Sequence, residues 1–225
     1  MKLPNIAIDG PAASGKTVVA RLLAGQLGLV FLDTGAMYRT VAWIALEKHL
    51  DCHCAEEITA LAEACSMDIK AADNAVGYKI VVEGRDITEL LHEPRIDEAV
   101  PVVAAISGVR REMVRRQQAM AAHGGVIMVG RDITTVVMPQ AECKYFLDAA
   151  VEERAHRRYL ELSGNGVDIS EEEVLGQMRE RDYQDTNRSD SPLRLVSGVT
   201  RFDTTGLSIS EVVEHLAAEC RRYME

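Results

Sequence analysis

Residues 10–17, Gly-Pro-Ala-Ala-Ser-Gly-Lys-Thr, follow the apolar run Asn5-Ile6-Ala7-Ile8-Asp9 and precede Val18, Val19, Leu22, Leu23 and Leu27 at helical spacing. A strand, a glycine-bounded loop ending in Gly-Lys-Thr and an amphipathic helix, in that order, restrict the chain to a small set of α/β folds. Glycine at both ends lets the loop curl until successive backbone N–H groups converge on a phosphate, and the helix N-terminus adds partial positive charge. In this pattern Lys16 reaches the β/γ oxygens, and Thr17 offers its hydroxyl to a Mg²⁺ that bridges the same oxygens. Gly10, Pro11, Ala12, Ala13, Ser14, Gly15, Lys16 and Thr17 are therefore expected to bind a nucleoside triphosphate, with Thr17 as the metal ligand.

The rest of the chain repeats the strand–helix alternation. Leu29-Val30-Phe31-Leu32 reads as a second strand, ended by Asp33-Thr34-Gly35, and Tyr38, Val41, Ala42, Ile44 and Ala45 mark a second helix. Residues 67–90 change character: Met67 to Lys70, a turn at Asn74 to Gly77, and Tyr78 to Gly84 alternate like a small antiparallel meander. Residues 95–122 return to helix, 126–129 and 143–148 read as core strands, and polar helices at 151–162 and 170–186 flank a Ser163-Gly164-Asn165-Gly166 break. A strand near 199–203 and a helix from Ser208 to Tyr223 close the chain. Alternating strands and helices predict a mostly parallel sheet in a three-layer α/β/α core. That core carries an antiparallel insert at about 60–100 and a helical lid at about 154–188, all within one domain, 1–225.

Composition excludes some functions. With 47% hydrophobic residues in 225 the chain can bury a sizeable core, and no apolar run approaches the about 18 residues of a membrane span. The start carries no charged region followed by a long apolar stretch, so a cytoplasmic monomer without membrane contact is expected. A net charge of −10 and 4% aromatic residues oppose binding to long nucleic acid. The five cysteines, Cys52, Cys54, Cys65, Cys143 and Cys220, include no C-x-x-C pair and read as reduced, mostly buried thiols. Cys52-His53-Cys54 could ligate a metal, but nothing nearby completes four ligands at the usual spacing.

A phosphate loop names only a donor. The acceptor is indicated by Asp33-Thr34-Gly35-Ala36-Met37-Tyr38-Arg39 after the second strand and by Gly130-Arg131-Asp132 after the third. Both fall at strand C-termini, where open α/β sheets bind ligands, and arginine's planar fork pairs phosphate oxygens two at a time. Glu153-Arg154-Ala155-His156-Arg157-Arg158 sets Arg154, Arg157 and Arg158 on one helical side. They read either as fingers for a transferred phosphoryl or as a solvated basic face paired with Glu152 and Glu153. Trp43, Met113, Val114 and Met120 read as packing residues, and His49, His92, His123, His156 and His215 carry no assigned chemistry.

Together with Val109-Arg110, Thr135-Val136-Val137, Arg181-Asp182 to Arg188 and Asp203-Thr204-Thr205-Gly206-Leu207-Ser208, these segments resemble bacterial cytidylate kinase over essentially the whole chain. The resemblance implies transfer of phosphate from ATP to CMP or dCMP on a nucleoside monophosphate kinase fold. It implies further that Thr34, Arg39, Arg131 and Arg188 hold the CMP phosphate, Arg181 and Asp185 the sugar hydroxyls, and Arg110 with Asp132 the cytosine edge. Lys16, Arg131, Arg188, Arg154, Arg157 and Arg158 would be the catalytic cations. A carboxylate can accept from cytosine's exocyclic amine and repels the carbonyl that uracil carries there. The chain departs from the family pattern at Val129, where a carboxylate is usual, at Ile133-Thr134-Thr135 in place of Ile-Gly-Thr, and at Pro101 in place of a serine. A sibling kinase for UMP or another small phosphate acceptor, or a weakened nucleotide-binding regulator, would share most of these residues.

Overall fold

The computed structural model describes residues 3–71 and 77–224. Five strands, β1 (Ile6–Asp9), β2 (Val30–Asp33), a third at Val126–Gly130, a fourth at Cys143–Asp148 and a fifth at Thr200–Asp203, form one sheet. Because a three-stranded sheet lies between β2 and the third of these in sequence, they are numbered β6, β7 and β8. The smaller sheet is β3 (Met67–Ala71), β4 (Tyr78–Val82) and β5 (Arg85–Asp86), antiparallel throughout. The large sheet has the order β2-β6-β1-β7-β8 and every neighbour pair is parallel, as the alternation predicted. The expected turn at Asn74 to Gly77 lies largely outside the described residues.

Side chains leave the large sheet alternately, which builds two cores from one set of strands. Ile6, Ile8, Phe31, Ile127, Val129, Tyr145 and Leu147 face α1 (Lys16–Leu27) and α8 (Ile209–Cys220). Ala7, Leu32, Val126 and Met128 face the opposite core, shared by α2 (Thr34–Glu47), α3 (Ala55–Ala64), α4 (Pro94–Ala105) and α5 (Ser107–Ala121). Trp43 and Met113 are buried there, as expected, with Val114 and Met120 packed at its margin. A helical hairpin of α6 (Val151–Gly164) and α7 (Glu171–Asn187) closes a third, smaller cluster around Ala155, Val174 and Met178, against Ala12 and Ala13 of the loop. α7 and α8 begin with capping boxes at Ser170/Glu173 and Ser208/Glu211. No helix among the described residues is long and apolar enough to cross a membrane.

Several expectations change. The helix anticipated over 95–122 is two helices, separated at Ile106, whose backbone is extended (φ −72, ψ 116). Pro101 lies inside α4 and cannot donate to the carbonyl one turn back, so that helix is weakened in its interior. After the break, Gly108 lets α5 pass so close to α3 that a Cβ would lie 2.2 Å from Thr59 Oγ1. α3 itself occupies a stretch that periodicity does not assign. Of the cysteines only Cys143 and Cys220 are buried; Cys52, Cys54 and Cys65 are half-buried, the first two in the connection ahead of α3. No group of three or more His, Cys, Asp or Glu among the described residues is arranged to hold a metal.

Arg116 shows how α5 holds α3. Its guanidinium donates to the carbonyls of Ala62, Glu63 and Cys65 at the end of α3, where helical partners run out. Glu112 aims it, accepting from Arg116 Nε at 2.6 Å and from both forks of Arg115 at 2.7 Å. The hydrogen bonds from Arg115, with those from Arg116, outweigh burial and hold the Glu112 carboxyl down at about 2. Unfolding returns it to its ordinary 4.5, so the stability it contributes is complete above that pH and is lost as the pH falls towards 2. Urea unfolding of Glu112→Gln at neutral pH is expected to show a loss of about 1–2 kcal/mol. The loss should shrink steadily when the titration is repeated in acid; a deficit unchanged across that range would refute the account.

Candidate active site

Four of the five large-sheet strands end in aspartate at the same edge: Asp9, Asp33, Asp148 and Asp203. Each turns its carboxylate onto a backbone N–H of a following or neighbouring loop, where parallel strands leave donors unpaired. Asp148 and Asp203 accept from Ala149 and Thr205, both at 2.9 Å. Asp9, fully buried, accepts from the amides of Ile133 and Thr134 at 2.8 Å and from the Thr134 hydroxyl at 2.6 Å. Burial pushes its carboxyl up against the pull of those hydrogen bonds. Thr134, one of the departures from the family pattern, thus ties a turn of π-helix, Ile133–Val137, to the central strand.

The loop from Gly10 to Thr17 lies between β1 and α1, as the motif requires. Gly10 is tight against β7: a Cβ there would sit 2.1 Å from the Leu147 carbonyl oxygen. Ala13 (φ 56) and Gly15 (φ 83) are left-handed, the strained alternation that points successive amides inwards. α1 has no side-chain cap and no acidic residue in its first turn, so its N-terminal donors stay available to an anion. Lys16 is buried and its Nζ donates to the Pro11 carbonyl at 2.6 Å. Burial, then the Arg131 charge, pulls its amine well below the ordinary lysine value, with Asp33 and Asp185 opposing. Thr17 is exposed, and its hydroxyl donates to Asp33 Oδ2 at 3.1 Å.

The acceptor residues named from the sequence gather beside this loop. Arg131, at the end of β6, donates through Nε to Asp185 on α7 at 2.6 Å. Arg188, at the end of α7, lies 3.8 Å from the other Asp185 oxygen and donates twice to the Ser191 carbonyl. Arg110 of α5 forms a buried, close ion pair with Asp132, and its guanidinium lies 5.5 Å from the Tyr38 ring centroid. Arg39 of α2 donates to Asp97 of α4 at 2.5 Å. Arg181 senses Arg131, Asp185, Arg39 and Asp97, and burial followed by the Arg131 charge lowers its pKa. Burial pushes Asp185 up, but Arg131, Arg188 and Arg181 overrule it and hold the carboxyl below its ordinary value. The Nε atoms of Arg39 and Arg110 are buried and have no partner among the described residues, which is costly for charged donors.

Thr34 and the three lid arginines take distinct places. The Thr34 hydroxyl is buried and donates to the Val129 carbonyl at 2.8 Å, joining β2 to β6 beneath the cleft. Arg154 is buried and clamped: it donates to Ala149 and Ala12 carbonyls and to both oxygens of Asp182. Arg157 reaches Thr204 at the end of β8, whose hydroxyl also contacts the Ser14 carbonyl at 3.4 Å. Arg158 turns towards α4, 3.6 Å from Asp97, while pairing with Glu161 at 2.8 Å. Sequence reasoning missed Asp97 altogether. Asp182 and Thr204 stand inside quoted segments, but nothing in spacing signals that they anchor Arg154 and Arg157.

The donor set near Thr17 suits a hard cation of the Mg²⁺ kind, since it offers oxygens only and Asp33 is half-exposed beside the hydroxyl. Asp9 does not share in this, because its two oxygens are occupied by Ile133 and Thr134. Val129 pairs with Asp33 across the strands but turns its side chain into the α1-side core.

A family model described as cytidylate kinase matches residues 6–222. A cytidylate kinase of Carboxydothermus hydrogenoformans is 47% identical over 212 residues, 94% of this chain and 95% of that one. One from Streptococcus sanguinis is 44% identical over the full length of both, and one from Enterococcus faecalis 44% over 93% of this chain and 92% of its own. Among solved structures, an uncharacterized protein from Eubacterium ventriosum aligns over 97% of this chain and 98% of its own, with a TM-score of 0.50 and 11% identity, a likeness of fold alone. A single family description thus covers the phosphate loop, the insert, the arginine cleft and the lid alike, and the chain belongs to the cytidylate kinase family.

Proposed function

We propose that this chain transfers the γ-phosphoryl group of ATP to CMP or dCMP, with Mg²⁺, giving CDP or dCDP. The observation that carries the reading is a linked set of cations beside the loop: the charges of Arg131 and Arg181 reach Lys16, that of Arg39 reaches Arg181, and Arg131, Arg181 and Arg188 share Asp185, a second anion site beside the first. The backbone amides of Gly10 to Thr17 and the Lys16 ammonium hold the donor's β- and γ-phosphates. Thr17 and Asp33 would hold the metal, which when bound would supply neutralisation of the triphosphate's charge.

On the acceptor side, Arg39, Arg131 and Arg188 receive the monophosphate, with the Thr34 hydroxyl beneath them. Arg181 and Asp185 face the sugar, and the Arg110–Asp132 pair meets the base: guanidinium donors to O2 and N3, the carboxylate to the amine. A phosphate oxygen is already a competent nucleophile, so positioning and charge stabilisation carry the reaction without a strong general base. As the γ-phosphorus passes from ADP oxygen to CMP oxygen, Lys16, Arg131 and Arg158 stabilise its equatorial oxygens. Arg154 and Arg157 keep the lid helix seated on the loop through Ala12 and Thr204.

ADP release measured across CMP, dCMP, UMP and AMP should be fastest with the two cytidylates. Flat rates with both, beside a clear rate with another acceptor, would sink the proposal. Asp132→Asn is expected to narrow the preference for CMP over UMP by about tenfold or more, the scale of one lost base contact. Gly10→Ala, which drives a methyl group into the Leu147 carbonyl, should abolish ATP binding in a fluorescent-nucleotide titration while CMP binding persists. Retention of parental ATP affinity would mean the loop is not the donor site.

A further inference from the structure

Asp97 has no place in the reaction described, yet it lies between two of its cations. It sits in the first turn of α4, half-buried, with its two oxygens directed to different elements. Oδ1 accepts from Arg39 of α2 at 2.5 Å, and Oδ2 lies 3.6 Å from Nη2 of Arg158 on the lid helix. Arg181 of α7 also feels its charge. One carboxylate therefore spans the cleft from the acceptor side to the lid. The neighbouring acid Glu98 is exposed on the same helix. A carboxylate engaging two guanidiniums offers them the planar pair of anionic oxygens that a phosphate also offers.

We propose that Asp97 is a positioning residue that clasps Arg39 and Arg158 in the open enzyme and yields them when the acceptor phosphate arrives. This rests on the reading of Arg39 and Arg158 as phosphate ligands. In the empty cleft the clasp keeps two like charges from repelling one another and keeps the lid arginine turned away from the donor. A monophosphate dianion carries more charge than the carboxylate and displaces it, so Arg158 leaves α4 when an acceptor is present and keeps only its pair with Glu161 on its own helix. Competition of this kind weakens acceptor binding, because the two ion pairs must be given up first.

The test is calorimetric titration of CMP and of cytidine, which lacks the phosphate, into the whole protein. Asp97→Asn is expected to tighten CMP about two- to fivefold, as loss of partly exposed ion pairs implies, and to leave cytidine unchanged. Glu98→Gln, removing a nearby charge outside the clasp, should move CMP less than about twofold. Unchanged or weaker CMP binding in Asp97→Asn, an equal shift for cytidine, or an equal effect of Glu98→Gln overturns the proposal. Asp97→Ser provides the same comparison should the asparagine variant fail to fold. Arg39→Ala separates the two levels of the argument. On the phosphate-site reading it loses CMP affinity by about tenfold or more. Parental affinity would remove that reading, and the clasp with it.

Discussion

Positive charge cannot be concentrated in a half-buried cleft unless something compensates it. Lys16, Arg39, Arg110, Arg131, Arg154, Arg158, Arg181 and Arg188 come from four helices, the phosphate loop and a strand end, and without counter-charges they would drive those elements apart. The structure meets this with carboxylates in matched positions: Asp33 near Lys16, Asp185 for Arg131 and Arg188, Asp132 for Arg110, Asp182 for Arg154, Asp97 for Arg39 and Arg158. The pairs differ in permanence. Arg154, with both Asp182 oxygens and two carbonyls, is held as a structural strut. Arg39 and Arg158 have shallower arrangements that a stronger anion can replace.

The sheet edge supplies the frame on which those charges are hung. Aspartates at the ends of β1, β2, β7 and β8 accept from backbone amides of the segments that follow or flank them, Asp33 as the N-cap of α2, fixing where each segment departs. β6 alone of the five ends in glycine, and there a Cβ would collide with Ile133 Cδ1 and Thr34 Oγ1 at 2.7 and 2.8 Å. That bare position lets Arg131 and Asp132 emerge directly at the sheet edge, between the donor loop and α7.

Much of this was legible in the chain. The glycine spacing around Lys16, the apolar runs of the core strands and the antiparallel alternation of 67–90 are local patterns, and local patterns survive folding. The site residues could be named because the resemblance lent their roles; composition and spacing alone reached only as far as two arginine-bearing strand ends. What stayed hidden is pairwise and long-range. Nothing near Asp97 in sequence hints that it lies between Arg39 and Arg158, since the three meet only after α2, α4 and α6 have packed. The division of the lid arginines was equally invisible: helical spacing puts them on one side, but Asp182, Thr204 and Asp97 draw them to three separate destinations. The break at Ile106 escaped notice because apolar periodicity runs through it; the backbone turns extended there, two residues ahead of the close crossing at Gly108.

The cleft's positive ring is set in a chain whose net charge is −10. The net charge opposes an approaching anionic nucleotide overall while the arginines of the cleft attract it locally, and productive encounter depends on how steeply that local field is screened. Nucleotide capture by such a protein slows as ionic strength rises, even where every contact in the bound complex is left intact.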